Sequence, residues 1–212
     1  TGVKPDHFLN LPVAAGEKTE GFLEIGDGEF VLPATIIRGK DPGKTVLVTA
    51  GLHAGEYVGI QTLIELSKRL KPEKVKGQLV LVKVLNREDF EKRAGSISWE
   101  DGKNLNRVFP GRKDGTKMER LAAAITESLI RKADYYIDLH GGDDYEELTP
   151  CRNRKIQEMI RLYTSYHKHW CGLIIQSLFL TPDRFPYFCV CADPEKSCFS
   201  ERFYIPPGTA DL

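Results

Sequence analysis

The chain has 212 residues, enough to bury a sizeable core in one large domain or two small ones. Lysine plus arginine equals aspartate plus glutamate, 30 against 30, so no charge excess points to nucleic acid, to an anionic membrane or to an acidic disordered tail. The five cysteines, at 151, 171, 189, 191 and 198, are odd in number and lack paired C-x-x-C spacing, which favours free thiols over a disulfide framework or a structural zinc site.

The first residues, "TGVKPDHFLN", contain no apolar signal core, and the run "CGLIIQSLFL" (171–180) is about half of what spans a bilayer. A cytoplasmic location is the expectation. "GFLEI" and "FVLPATIIR" read as strands joined by the turn "GDGE". "TVLVTA" (45–50) is a continuous apolar run, as in a strand buried on both faces. Residues 57–70 have helical periodicity, with Ile60, Leu63, Ile64 and Leu70 on one side, and Pro72 ends the helix. "QLVLVKVL" (78–85) is a second buried strand. Residues 45–85 therefore form a strand–helix–strand unit with a parallel crossover.

Residues 86–115 carry no clear period, and a long irregular segment in a domain is more often functional than not. Residues 118–133 read as a helix, and "DYYIDLH" (134–140) as a third strand. The pattern is α/β, with chemistry expected at the C-terminal ends of the strands. Beyond 150 the patterns weaken; residues 156–170 suit a helix.

"GLHAGEY" (51–57) leaves a buried strand and places His53 and Glu56 three residues apart, with glycines at 51 and 55 that permit a turn. The bland alternative is a solvated helix cap. His140 ends another strand, and Asp138, two residues earlier, faces the same side and can orient the imidazole. Two histidines and a carboxylate from neighbouring strand ends make the three-ligand pattern of a catalytic zinc site. In "DGKNLNRVFPG" (101–111), Asn106 and Arg107 offer an amide and a planar guanidinium suited to a carboxylate; the alternative is a turn whose Asn side chains bond local backbone. "GKT" (43–45) resembles the end of a phosphate-binding loop, but Arg38 stands where its first glycine belongs and Thr45 opens a strand.

Together "AGLHAGEY", "NREDFEKRAGS", "DGKNLNRVFPG" and "YYIDLHGGD" resemble the succinylglutamate desuccinylase/aspartoacylase family, a branch of the zinc-carboxypeptidase-like hydrolases, over residues 30–150. The resemblance implies a three-layer α/β/α domain with a mixed, largely parallel sheet and one Zn2+. It implies a deacylase that cleaves the amide of N-acyl amino acids or similar small amides. His53, Glu56 and His140 match the metal ligands, Asn106 and Arg107 the substrate-carboxylate pair, and Arg93 the arginine that polarises the scissile carbonyl. Glu201, in "CFSERFYIPPG", has the separation of the general base but not its flanking glycines. The expected organisation is a single domain, 1–212: an N-terminal β segment (1–40), a metal-site core (41–150) and a divergent tail (151–212). The expected partner is a small-molecule carboxylate; self-association stays open. The alternatives are a metallocarboxypeptidase acting on peptides, and a zinc- and carboxylate-binding protein that lacks the general base.

Overall fold

A computed structural model describes residues 10–141 and the backbone of 6–8 and 189–191. A short hairpin, β1 (Asp6–Phe8) and β2 (Leu11–Val13), precedes the main sheet. The sheet then takes β3 (Lys18–Ile25), β4 (Phe30–Arg38), β5 (Thr45–Ala50), β6 (Gln78–Val82), β7 (Tyr135–His140) and β8 (Cys189–Cys191). Its spatial order is β3-β4-β6-β5-β7-β8. The mixed sheet matches expectation, with parallel pairing confined to the centre: β5 runs parallel to β6 and β7, and the flanking pairings are antiparallel. Because β4 pairs with β6, the N-terminal segment continues the sheet of the core. The tail residues "CVC" also join it, as β8 beside β7. The suggested helix at 156–170 lies outside the described residues.

β5 explains the layers. Val46, Val48 and Ala50 pack with α1 (Tyr57–Arg69), while Leu47 faces the cluster that holds α3 (Lys117–Ser128). Both faces are therefore buried, as the unbroken apolar run requires. α1 turns Ile60, Leu63 and Leu66 inward at helical spacing, and Ile64 packs only partly. It stops at Leu70, which is extended before Pro72, and the Lys18 ammonium donates to the carbonyls of Ser67 and Leu70 at 2.9 and 3.2 Å. Each fully buried leucine stabilises by roughly 1.5–3 kcal/mol. α3 is shorter than expected, ending at Ser128 and followed by a 3-10 turn, Ile130–Lys132. The irregular segment holds one short helix, α2 (Arg87–Glu91), and a 3-10 turn, Leu105–Arg107.

Candidate metal and carboxylate site

β5 and β7 are hydrogen-bonded neighbours running the same way, so their C-terminal ends open on one edge. The chain leaves β5 through Gly51, at φ +65°, where an added Cβ would lie 3.1 Å from the Val84 Cα. Gly55 is not left-handed, so the turn rests on Gly51 alone. This brings Glu56 back toward the end of β7.

There the three expected ligands meet, with one donor atom from each lying within 4.8 Å of the others. Glu56 Oε1 is 2.7 Å from His53 Nδ1, and Oε2 is 2.8 Å from His140 Nδ1. Oε2 also accepts the Gly141 N–H at 3.1 Å. Asp138 acts as its period-two spacing suggested: Oδ2 accepts from His140 Nε2 at 2.8 Å. Two groups were missed by sequence reasoning. Thr49, directly opposite Asp138 in the β5–β7 register, donates its hydroxyl to Asp138 Oδ1 at 2.6 Å. Asn104 Oδ1 stands 3.0 Å from His53 Nε2. The signal for Asn104 was its place two residues before Asn106, since a side-chain oxygen there bonds the backbone two residues on; it accepts the Asn106 N–H at 2.9 Å.

That last bond fixes a tautomer. Asn104 Oδ1 already accepts from Asn106, so His53 Nε2 must be its N–H donor. His53 Nδ1 then faces the Glu56 carboxylate at 2.7 Å, a contact that a proton or a bound cation satisfies. His140 is similarly placed, with a carboxylate at each ring nitrogen. Burial opposes its protonation, but the charges and hydrogen bonds of Asp138 and Glu56 outweigh it and hold the imidazolium well above the usual histidine range. Burial pushes the Glu56 carboxyl up, yet the bonds from His140 and His53 draw it down to about 2. Two nearly buried carboxylates facing two imidazoles thus form a cation-seeking pocket. Two nitrogens and an oxygen, with both rings held from behind, fit Zn2+.

The substrate candidates lie beside it. Asn106 is half-buried and joined to the cluster through Asn104, and Arg107 follows, exposed. Among the described residues no carboxylate pairs with the guanidinium of Arg107 or of Arg93. Arg93 is exposed at the end of α2, with φ +53°. Glu201 lies outside the described residues.

Comparison with known proteins agrees with this layout. Residues 42–166 match the profile of the succinylglutamate desuccinylase/aspartoacylase catalytic domain. The N-alpha-acetyl-L-2,4-diaminobutyric acid deacetylase of Halomonas elongata is 36% identical over 144 residues, 68% of this chain and 39% of that enzyme. The crystal structure of an aspartoacylase family protein from Mesorhizobium loti superposes with a TM-score of 0.57 at 29% identity, over 77% of this chain and 53% of that one. A metallo-carboxypeptidase from Burkholderia cenocepacia shares the fold, with a TM-score of 0.50 at 16% identity, over 83% of this chain and 54% of that one. The chain therefore spans about 40% of the curated deacetylase and about half of these two structures.

Proposed function

Because the chain belongs to the succinylglutamate desuccinylase/aspartoacylase family, we propose that it is a zinc-dependent deacylase of N-acyl amino acids or related small amides. The observation that carries this reading is the meeting of His53, Glu56 and His140 at one sheet edge, with both imidazoles held from behind by Asn104 and Asp138. Zn2+ bound there supplies a Lewis acid and an open position for water. The rest falls to the chain. Asp138 and Asn104 keep both Nδ1 atoms turned inward. Arg107, with Asn106, binds the substrate carboxylate in a bidentate fork and so fixes the position of the amide. Arg93 donates to the carbonyl oxygen as negative charge develops on it. Glu201 takes the proton of the attacking water and returns it to the leaving amine.

Metal content and turnover test the reading together. The wild type should carry about one equivalent of zinc by elemental analysis and turn over an N-acetyl or N-succinyl amino acid only slowly. His53→Ala and His140→Ala should lose most of the metal, since two ligands cannot complete the shell. Full occupancy in both variants would overturn the ligand assignment.

A further inference from the structure

Asp89 is a buried carboxylate that the proposed chemistry does not use. It is 1% exposed and has no cationic partner among the described residues. Its Oδ2 accepts from Asn86 Nδ2 at 2.8 Å, and its Oδ1 from the Ser98 hydroxyl at 3.3 Å. Asn86 and Ser98 are themselves 5% and 4% exposed. Burying a carboxylate between neutral donors is costly, so the contacts it makes need a reason.

The same residue closes the end of α2 through its backbone. The Ala94 N–H donates to the Asp89 carbonyl at 2.9 Å, and the Arg93 N–H to the Phe90 carbonyl at 3.1 Å. These are the two bonds of a Schellman cap, and Arg93 holds the left-handed position where glycine is usual. A side chain is kept there against about 1–2 kcal/mol of backbone strain. The cap aims Arg93.

The two side-chain bonds tie that cap to its surroundings. Behind it, the Asn86 N–H donates to the carbonyl of Gly51, where β5 gives way to the ligand loop, at 2.9 Å. Ahead of it, Ser98 is the root of a closed loop: its N–H donates to the Lys103 carbonyl at 2.9 Å, and its carbonyl accepts the Gly102 N–H at 3.0 Å. The next residue is Asn104, which touches His53 and Asn106. We propose that Asn86, Asp89 and Ser98 form a buried clamp that positions Arg93 and the Asn104–Asn106–Arg107 segment as one unit for the substrate's carbonyl and carboxylate. Asp89 and Ser98 are positioning residues. The proposal rests on the carboxylate-binding reading of Arg107.

Ser98→Ala in the full chain tests it, with Ser98→Thr, which keeps the hydroxyl, as the conservative variant. Amide hydrogen exchange at Ala94 and Gly102 reads the clamp without any ligand. The affinities for an N-acetyl amino acid and for its carboxamide analogue read the carboxylate preference. Ser98→Ala should keep its zinc, exchange these amides about three- to tenfold faster, and lose about three- to tenfold of the carboxylate preference, the range for one long hydrogen bond of modest strength. Ser98→Thr should restore both. A purely structural role would lower the melting temperature and leave the preference unchanged, which overturns the proposal, as does unchanged exchange at both amides. Equal affinity of the wild type for acid and carboxamide refutes the Arg107 reading itself, and the exchange measurement then decides the clamp separately.

Discussion

At the scale of single residues, each candidate metal-ligating histidine is held by a neighbour outside the His53–Glu56–His140 cluster. Thr49 has one proton and gives it to Asp138, so the Tyr136 hydroxyl, 3.2 Å away, must donate to Thr49 in turn. Thr49→Val keeps the shape and removes this support. Its zinc affinity should fall about 10–100-fold in a chelator competition, the usual range for loss of an orienting partner. Arg107→Lys keeps a charge but loses the fork. It should weaken binding of an N-acyl amino acid by about 1.5–3 kcal/mol in a titration and leave the carboxamide analogue nearly unchanged. The convergence of His53, Glu56 and His140, and the place of Asp138, were legible in the sequence because strand ends and period-two spacing place them. Thr49 was not, because its partner lies 89 positions away and only the β5–β7 register reveals it.

At the scale of elements, continuous apolar runs announced β5 and β6, the segment "DYYIDLH" announced β7, and helical spacing announced α1 and α3. The hairpin of β1 and β2 and the helix α2 escaped, since three and five residues are too few to show a period. The loop 101–111 gave its residues but not its anchorage, which is α3. Asp101 accepts the Met118 N–H at 2.9 Å, and the Arg112 N–H donates to the Glu119 carbonyl at 3.0 Å. Gly111, at φ +85°, lies so close that a Cβ would meet the Ala123 nitrogen at 2.2 Å and the Glu119 carbonyl at 2.3 Å. Gly111→Ala should therefore displace the loop bearing Asn106 and Arg107. We expect a loss above roughly 2 kcal/mol in denaturant unfolding, the size typical of strain at a special backbone position. A stability within about 0.5 kcal/mol of wild type would contradict this packing. The start of α3 carries its own pH signature. The Glu119 carboxylate accepts the Thr116 N–H at 2.8 Å, and with Lys103 this draws its carboxyl down to about 2. A carboxyl depressed on folding stabilises above its unfolded value, and that contribution is lost as pH falls from about 4.5 towards about 2. Glu119→Gln should flatten the stability profile in that window and leave the profile above it parallel to wild type.

At the scale of the whole molecule, the candidate binding groups and the candidate proton-transfer group come from different parts of the chain. The candidate metal ligands, their supports, Asn106 and Arg107 all fall between Thr49 and His140. No helix of the described residues is long and apolar enough to cross a membrane. Among the described residues, the carboxylates that touch the three ligands are Glu56 and Asp138. Glu56 is itself a ligand candidate, and Asp138 is committed to His140 and Thr49. Neither is placed to carry protons between water and a leaving amine. The candidate for that task, Glu201, lies outside the described residues, and its flanking sequence departs from the family's pattern. Loss of such a group costs typically 10²–10⁴ in rate while metal binding survives. An amine needs a proton to leave; an alkoxide needs it less. We therefore expect this chain to bind zinc and carboxylate ligands well, to hydrolyse amides poorly, and to favour an ester over the matching amide. The measurement is kcat/KM for such a pair in wild type and in Glu201→Gln. Brisk amide hydrolysis that collapses in Glu201→Gln, with zinc content unchanged, would show that the tail supplies the general base in spite of its unfamiliar surroundings.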